Sequence, residues 1–153
     1  MVTYRILAVA PPGRTPGWAA ALADDLGIPH LSFPALLKRE VARRTVLGRL
    51  LSQNLLRGDF LEEPLVGKLV FQAVRARGQE GYVLSGLPLS GDHLARLARR
   101  FSFTHAVATL QGLPRRVSRA LDPLRGAVAT LDLPASAADP DVLRAAGRFL
   151  RRR

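Results

Sequence analysis

Several features are missing or rare in this sequence. It contains no cysteine, which excludes disulfide bonds, zinc–thiolate sites and thiol catalysis. No apolar run approaches the roughly 20 residues that a membrane-spanning helix needs. The first residues, "MVTYRILAVA", carry one early charge and a short apolar run, which predicts a first strand and not a signal peptide. We therefore expect a cytoplasmic protein that does not enter a membrane.

Lysine and acidic residues are scarce beside arginine. The chain has 21 arginines and two lysines against 12 acidic residues, which gives a net charge of +11 at pH 7. Such an excess favours polyanionic partners: nucleic acid, nucleotides or acidic protein surfaces. A GC-rich genome that places arginine where other proteins use lysine on solvated faces would explain the same charge. The sequence leaves both interpretations open.

The composition is otherwise that of one globular domain, residues 1–153, because 48% of the residues are apolar. Strand-like apolar runs alternate with helical-period segments, which predicts a three-layer α/β/α fold with a parallel sheet. The predicted strands are 4–10, 28–32, 81–86, 104–110 and 126–133. The predicted helices are 16–26, 34–44, 46–57, 62–77, 91–100, 114–121 and 139–151. Asp139 is the expected N-cap of the last helix and Pro140 its first residue. Three helices between the second and third strands predict a small helical lobe at about 32–77.

A strand, a turn rich in glycine and proline, and a helix follow one another in "RILAVAPPGRTPGWAAALADDLGIPH", from Arg5 to His30. This layout is typical of a phosphate-binding loop, G-x-x-x-x-G-K-[ST], whose backbone N–H groups and lysine hold phosphates. Here Thr15 stands at the second glycine and Pro16 at the lysine, so an ammonium group and an N–H are both missing. Thr15 suits an N-cap and Pro16 a first helical residue. Arg14 either supplies a cation to the loop or is an exposed surface residue.

Five stretches carry a family resemblance through their order along the chain. They are "APPGRTPGWAAALADDLGIPHLSFPALLKRE", "TVLGRLLSQNLLRGDFLEEPLVGKLVFQAV", "GYVLSGLPLSGDHL", "LPRRVSRAL" and "GAVATLDLPASAADPDVLRAAGRFL". In that order they resemble the phosphate loop, the helical monophosphate lobe, the third strand with its D-G-F-P-R-T-x-x-Q motif, the helix before the lid, and the final strand and helix of adenylate kinases. The resemblance covers nearly the whole chain, although no single motif is intact.

The resemblance implies a five-stranded parallel sheet of P-loop nucleoside monophosphate kinase type, with strand order 2-3-1-4-5. It also implies a vestigial cleft for ATP or AMP. His93 stands where the family has a glutamine that contacts the acceptor base; the alternative is a partly exposed helix histidine. The cleft residues implied in this way are Gly13, Arg14, Thr15 and Gly17 in the degenerate loop, with Ser32, Lys38, Gly86, His93 and Arg119 around it.

The departures from the family fall where phosphoryl transfer needs charge and magnesium contacts. The family's loop lysine is replaced by Pro16 and its loop threonine by Trp18. Ser85 stands at the strand-end acid and Leu89 at the F-P-R arginine. After Arg119 the chain runs through "LDPLRG" toward the last strand, so the family's lid is missing. Each lost electrostatic group is typically worth about 2–4 kcal/mol of transition-state stabilisation.

These losses predict an adenylate-kinase-like protein without catalytic residues, which binds a nucleotide, another anion or a partner. One alternative is a weak nucleoside monophosphate kinase or ATPase that uses Arg14 and Lys38. A second is a structural subunit whose empty cleft forms a protein or homo-oligomer interface.

A third alternative is a basic RNA-binding protein, since short arginine stripes occur on two predicted helices and at the end of the chain. The residues predicted to contact nucleic acid are Arg39, Arg43, Arg44, Arg148, Arg151, Arg152 and Arg153. Three scattered histidines without an H-x-x-x-H pair predict no metal site. Ser85, Ser90 and His93 lack the G-x-S-x-G turn of a hydrolase.

Overall fold

The computed structural model describes residues 3–11, 16–56, 62–77, 80–87 and 91–152. In that part of the chain one parallel sheet has the strand order β2-β3-β1-β4-β5. The strands are β1 (Arg5–Val9), β2 (His30–Ser32), β3 (Tyr82–Ser85), β4 (His105–Gln111) and β5 (Ala129–Pro134). The predicted α/β class and the order 2-3-1-4-5 are confirmed. The strands begin one to three residues later than predicted.

Helices connect the strands and cover both faces of the sheet. Those in the described ranges are α1 (Gly17–Leu26), α2 (Phe33–Ala42), α3 (Val46–Leu56), α4 (Glu63–Arg77), α5 (Gly91–Arg100), α6 (Arg115–Ser118), α7 (Asp122–Arg125) and α8 (Asp139–Leu150). None of these helices has the length and hydropathy needed to cross a membrane.

The single helix predicted at 114–121 is wrong. The structure has α6, a 3₁₀ turn at Arg119–Leu121 and then α7, which extends the helical region to Arg125. Leu121 and Leu124 are fully buried in the core, and this burial draws "LDPLRG" back against α5. Pro123 is accommodated because the first turn of a helix needs no N–H donor.

The sheet separates two hydrophobic cores. Leu7 and Leu84 point to one face, where the helical lobe and α5 pack. Ile6 and Val83 point to the other face, against α1 and α8. Central strands of a parallel sheet are covered on both sides, which explains why β1 reads as an unbroken apolar run. The sheet therefore separates the helices of one face, with their core, from the helices of the other face.

Two helices begin one residue away from the predicted position. Pro16 is the N-cap of α1, so the helix starts at Gly17 and not at Pro16. Ala138 is the N-cap of α8, and the predicted cap Asp139 is the first helical residue. Neither N-cap residue contributes a side-chain hydrogen bond to its helix. Thr15, the N-cap predicted for α1, lies outside the described residues.

The helical lobe depends on a close contact between α2 and α3. The Thr45 Oγ1 atom accepts a hydrogen bond from the Gly48 N–H at 3.0 Å, as an N-cap side chain does. The Thr45 hydroxyl also donates to the Oε1 atom of the buried Glu40 at 2.6 Å. A Cβ atom on Gly48 would lie 2.3 Å from the backbone oxygen of Glu40. Only glycine therefore fits at position 48 without moving α2.

We expect Gly48→Ala to lower the free energy of unfolding by about 1–3 kcal/mol, because a backbone atom must move to admit the methyl group. Gly126→Ala is the matched control, since its new Cβ would meet only an ordinary contact of 3.6 Å at a negative φ. That control should be neutral or stabilise by up to about 1 kcal/mol. Urea unfolding of both variants measures the difference. Equal stabilities would show that α2 and α3 do not pack as described.

Candidate functional site

The carboxyl ends of β1 and β4 meet at one edge of the sheet, because paired parallel strands run in the same direction. Open α/β sheets bind ligands at this edge. A pocket with a volume of about 160 Å³ lies here, at the start of α1. We call it the loop pocket. Its lining includes Pro16, Gly17, Trp18, Thr109, Ala135 and Asp139.

The amino end of α1 faces a carboxylate from the protein itself. A Cβ on Gly17 would lie 2.9 Å from the Asp139 Oδ2 atom, so this carboxylate lies against the first residue of the helix. Pro16, directly before it, has no N–H to offer an anion. A negative charge is stabilised at this end of a helix by the helix dipole. Asp139 therefore occupies an environment that suits a phosphate oxygen, and its charge repels one.

The structure describes one of the four predicted residues of the phosphate loop. Gly17 is exposed and lines the loop pocket. Gly13, Arg14 and Thr15 lie outside the described residues. Whether those three residues contact an anion remains a prediction.

On the neighbouring strands, two predicted cleft residues come together. Ser32 pairs in register with Ser85, which directly precedes Gly86. Gly86 has a φ of +81°, and a Cβ on it would lie 2.4 Å from the Pro34 Cδ atom. The Ser32 hydroxyl accepts a hydrogen bond from the Ala35 N–H at 3.5 Å and so caps α2. Ser32 and Gly86 therefore form a tight junction between β2, α2 and β3.

Lys38 and Arg119 are exposed, on α2 and on the 3₁₀ turn respectively. No hydrogen bond or ion pair in the described residues joins either side chain to the Ser32–Gly86 junction. Arg125, near the position where adenylate kinases carry their lid, is paired with Asp132 at 3.4 Å. Asp132 also accepts the Leu110 N–H at 3.0 Å, so Arg125 helps to fix β5 beside β4.

His93 is not the partly exposed helix histidine considered above, because only 7% of it is accessible. Its Nε2 atom makes no hydrogen bond within the described part of the chain. Burial lowers the pKa of His93, and the nearby Glu63 carboxylate opposes that effect. Glu63 itself is held by Arg96 through two contacts of 2.6 Å. A buried ring nitrogen without a partner is an unusual group that a bound ligand could satisfy.

A serine–histidine pair was missed at the sequence level. The His30 Nε2 atom and the Ser85 Oγ atom are 2.8 Å apart. Burial lowers the pKa of His30, and Asp24 opposes this shift. Ser85 is only 1% exposed, so its hydroxyl ties β3 to β2 and is not accessible to a substrate. The strand register, which brings positions 30 and 85 together, was the information that sequence reasoning lacked.

The arginines predicted to contact nucleic acid do not form one surface. Arg39, Arg43 and Arg44 are exposed on or just after α2, which packs on the lobe face of the sheet. Arg148, Arg151 and Arg152 belong to the end of α8, which packs on the opposite face. Arg153 lies outside the described residues. In the described ranges no group of three or more acidic or histidine side chains could hold a metal ion.

The fold is that of a P-loop nucleoside monophosphate kinase: a parallel five-stranded sheet flanked by helices, with its candidate site at the carboxyl edge of the strands. No family model matches the chain. An adenylate kinase of Synechococcus sp. is 36% identical over 85 residues, 55% of this chain and 46% of the relative. One of Xanthomonas campestris pv. campestris is 37% identical over 86 residues, 55% and 46% of the two chains.

A third relative, an adenylate kinase of Thermococcus kodakarensis, is 28% identical over 103 residues, 67% of this chain and 45% of the relative. The chain thus spans about half the length of the curated relatives it matches. Over the matched residues the chain is similar to adenylate kinases, and its sheet order is the one that the resemblance predicted.

The three histidines predict that acid destabilises the fold. Burial lowers the pKa of His30, His93 and His105 in the folded protein. Below the ordinary pKa of about 6.5 the unfolded chain therefore binds more protons than the folded chain, and the free energy of unfolding falls as the pH drops. Their contribution is complete above that pKa and is lost below it.

Urea unfolding at about pH 7.5 and about pH 5.5 measures this loss. We expect His93→Gln to lose less stability than the native chain over the same interval, because it has one titrating group fewer. His105→Gln, on the other face of the sheet, is the parallel variant. A native chain that gains stability on acidification would contradict the lowered pKa of these histidines.

Proposed function

We propose that this protein is a nucleotide-binding member of the adenylate kinase-like family that does not transfer phosphoryl groups. The names of its relatives support a nucleotide as the ligand. The observation that carries the non-catalytic part is the amino end of α1, where Pro16 and the Asp139 carboxylate stand beside Gly17. An enzyme that transfers phosphate needs cations and N–H donors at that point.

Electrostatic repulsion by the Asp139 carboxylate disfavours a bound triphosphate. A phosphate charge about 4 Å from a carboxylate near a protein surface is repelled by about 4 kcal/mol at an effective dielectric constant of about 20. A single favourable electrostatic group at a catalytic site contributes about 2–4 kcal/mol. Because Asp139 is exposed, solvent screens this repulsion toward about 1 kcal/mol, the value in bulk water, so it adds to the loss of the lysine without equalling it. Both changes disfavour ATP.

The monophosphate side of the cleft keeps more of what a ligand needs. We infer that a nucleoside monophosphate binds between the Ser32–Gly86 junction and α5. Lys38, the exposed cation on α2, would meet the phosphate, and the base would lie beside α5, in which His93 is buried. The ATP and AMP sites of the family would then differ in this chain, with the second retained and the first closed.

Calorimetric titration with AMP, and separately with ATP and magnesium, tests this division. We expect the native protein to bind AMP and to show no ATP binding. Asp139→Asn removes the repulsion at α1 and should raise ATP affinity to a measurable level, by about tenfold or more, without changing AMP affinity.

Asp141→Asn is the matched control, because Asp141 lies in the same first turn of α8 but is paired with Arg144 at 3.1 Å. It should leave both titrations unchanged. Micromolar binding of ATP by the native chain would refute our account of Pro16 and Asp139. Failure of AMP to bind would remove the proposed ligand.

A further inference from the structure

A second concave surface lies at the opposite edge of the sheet from the loop pocket. It has a volume of about 560 Å³ and is lined by Arg5 at the start of β1 and by residues of α4, the end of α5 and the turn before β4. We call it the amino-edge groove. The residues that matter here are Arg5, Phe71, Arg75, Arg100 and Phe101.

The amino-edge groove is positively charged. Arg5, Arg75 and Arg100 line it, and none of the other described residues that line it is acidic. Among the described arginines, Arg96, Arg125 and Arg144 pair with carboxylates, whereas the three arginines of the groove, like most of the others, do not. Unpaired guanidinium groups that converge on a concave surface attract anions and bind phosphate oxygens through planar pairs of N–H donors.

One of these arginines is already held in place. The Arg100 guanidinium carbon is 5.3 Å from the centre of the Phe101 ring, within the range of a cation–π contact. A Cβ on Gly67 would lie 2.5 Å from the Arg100 Nη1 atom, so the guanidinium crosses α4 where that helix has no side chain. Binding an anion would cost less entropy at a side chain that is already ordered.

An exposed aromatic ring stands beside these charges. Phe71 on α4 is 49% accessible, and it is the only exposed aromatic among the large apolar residues of the described chain. Arg75 follows it by four positions, which places both side chains on the same side of the helix. An exposed phenyl ring next to unpaired arginines is the combination with which proteins bind single-stranded nucleic acid. Bases stack on the ring, and the cations follow the backbone.

We propose that the amino-edge groove binds single-stranded nucleic acid, with an unpaired base stacked on Phe71 and backbone phosphates on Arg5, Arg75 and Arg100. A free phosphate or an acidic peptide would use the arginines and leave the ring without a role. A duplex would present phosphates but no free base face. The groove differs from the arginine clusters of α2 and α8, and it does not depend on the ligand of the loop pocket.

Fluorescence anisotropy with a labelled single-stranded RNA of about 10 nucleotides, at several salt concentrations, tests the groove. Phe71→Ala should weaken binding by about tenfold and leave the salt dependence unchanged, because it removes stacking only. Phe71→Trp should keep the RNA affinity of the native chain, because it retains an aromatic ring for stacking. Arg75→Gln should reduce the slope of log affinity against log salt by about 0.7, as expected for one lost contact to a single-strand phosphate.

Two matched controls lie outside the groove. Leu56→Ala removes an apolar residue that is 85% exposed in the same lobe, and Arg144→Gln removes a charge on α8. Both should bind RNA like the native chain. Since the Phe71 side chain is half exposed, urea unfolding should show Phe71→Ala to be folded.

Three results would overturn the proposal: no RNA binding, equal binding by Phe71→Ala and the native chain, or equal affinity for a duplex of the same length. Displacement of the RNA by polyglutamate as readily as by unlabelled RNA would point to an acidic peptide and would also overturn it.

Discussion

A helix that begins at the carboxyl edge of a parallel sheet presents free N–H groups and the positive end of its dipole. A negatively charged group is stabilised at that position. In this protein that place is the start of α1, and the Asp139 carboxylate of α8 lies against it at Gly17. The contact joins the first helix to the last and closes one face of the sheet, where α1 and α8 share a core. The carboxylate thus lies at the end of a helix, the position at which phosphate-binding loops hold a phosphate.

The rest of the molecule has the fold of a P-loop nucleoside monophosphate kinase. The sheet order places the ends of β1, β3 and β4 side by side, at the edge where open α/β sheets bind ligands. Polar residues near that edge make contacts within the protein. Ser32 caps α2, Ser85 forms a hydrogen bond with His30, and Arg125 pairs with Asp132. These contacts therefore hold the strands and helices together at this edge.

The sequence predicted the α/β class from its alternating apolar runs, and the strand order from resemblance. Local sequence patterns did not predict the surroundings of side chains that tertiary contacts position. Asp139 was expected to cap its own helix, but its carboxylate lies against Gly17, which is distant in sequence. His93 was expected either to contact the acceptor base or to be a partly exposed helix histidine, and in the structure it is buried. The groove at Phe71 could not be predicted, since it joins residues from β1, α4 and the α5–β4 turn. The loop residues 12–15 lie outside the described chain, and their roles remain predictions.

The central claim is that the start of α1 cannot support phosphoryl transfer. A coupled assay that detects ADP formation from ATP and AMP in the presence of magnesium measures this directly. Our account predicts a rate indistinguishable from that of a sample without protein, because the phosphate site contains a carboxylate and a proline in place of a cation and an N–H donor. Turnover within the ordinary enzyme range of about 1–10³ per second would contradict it.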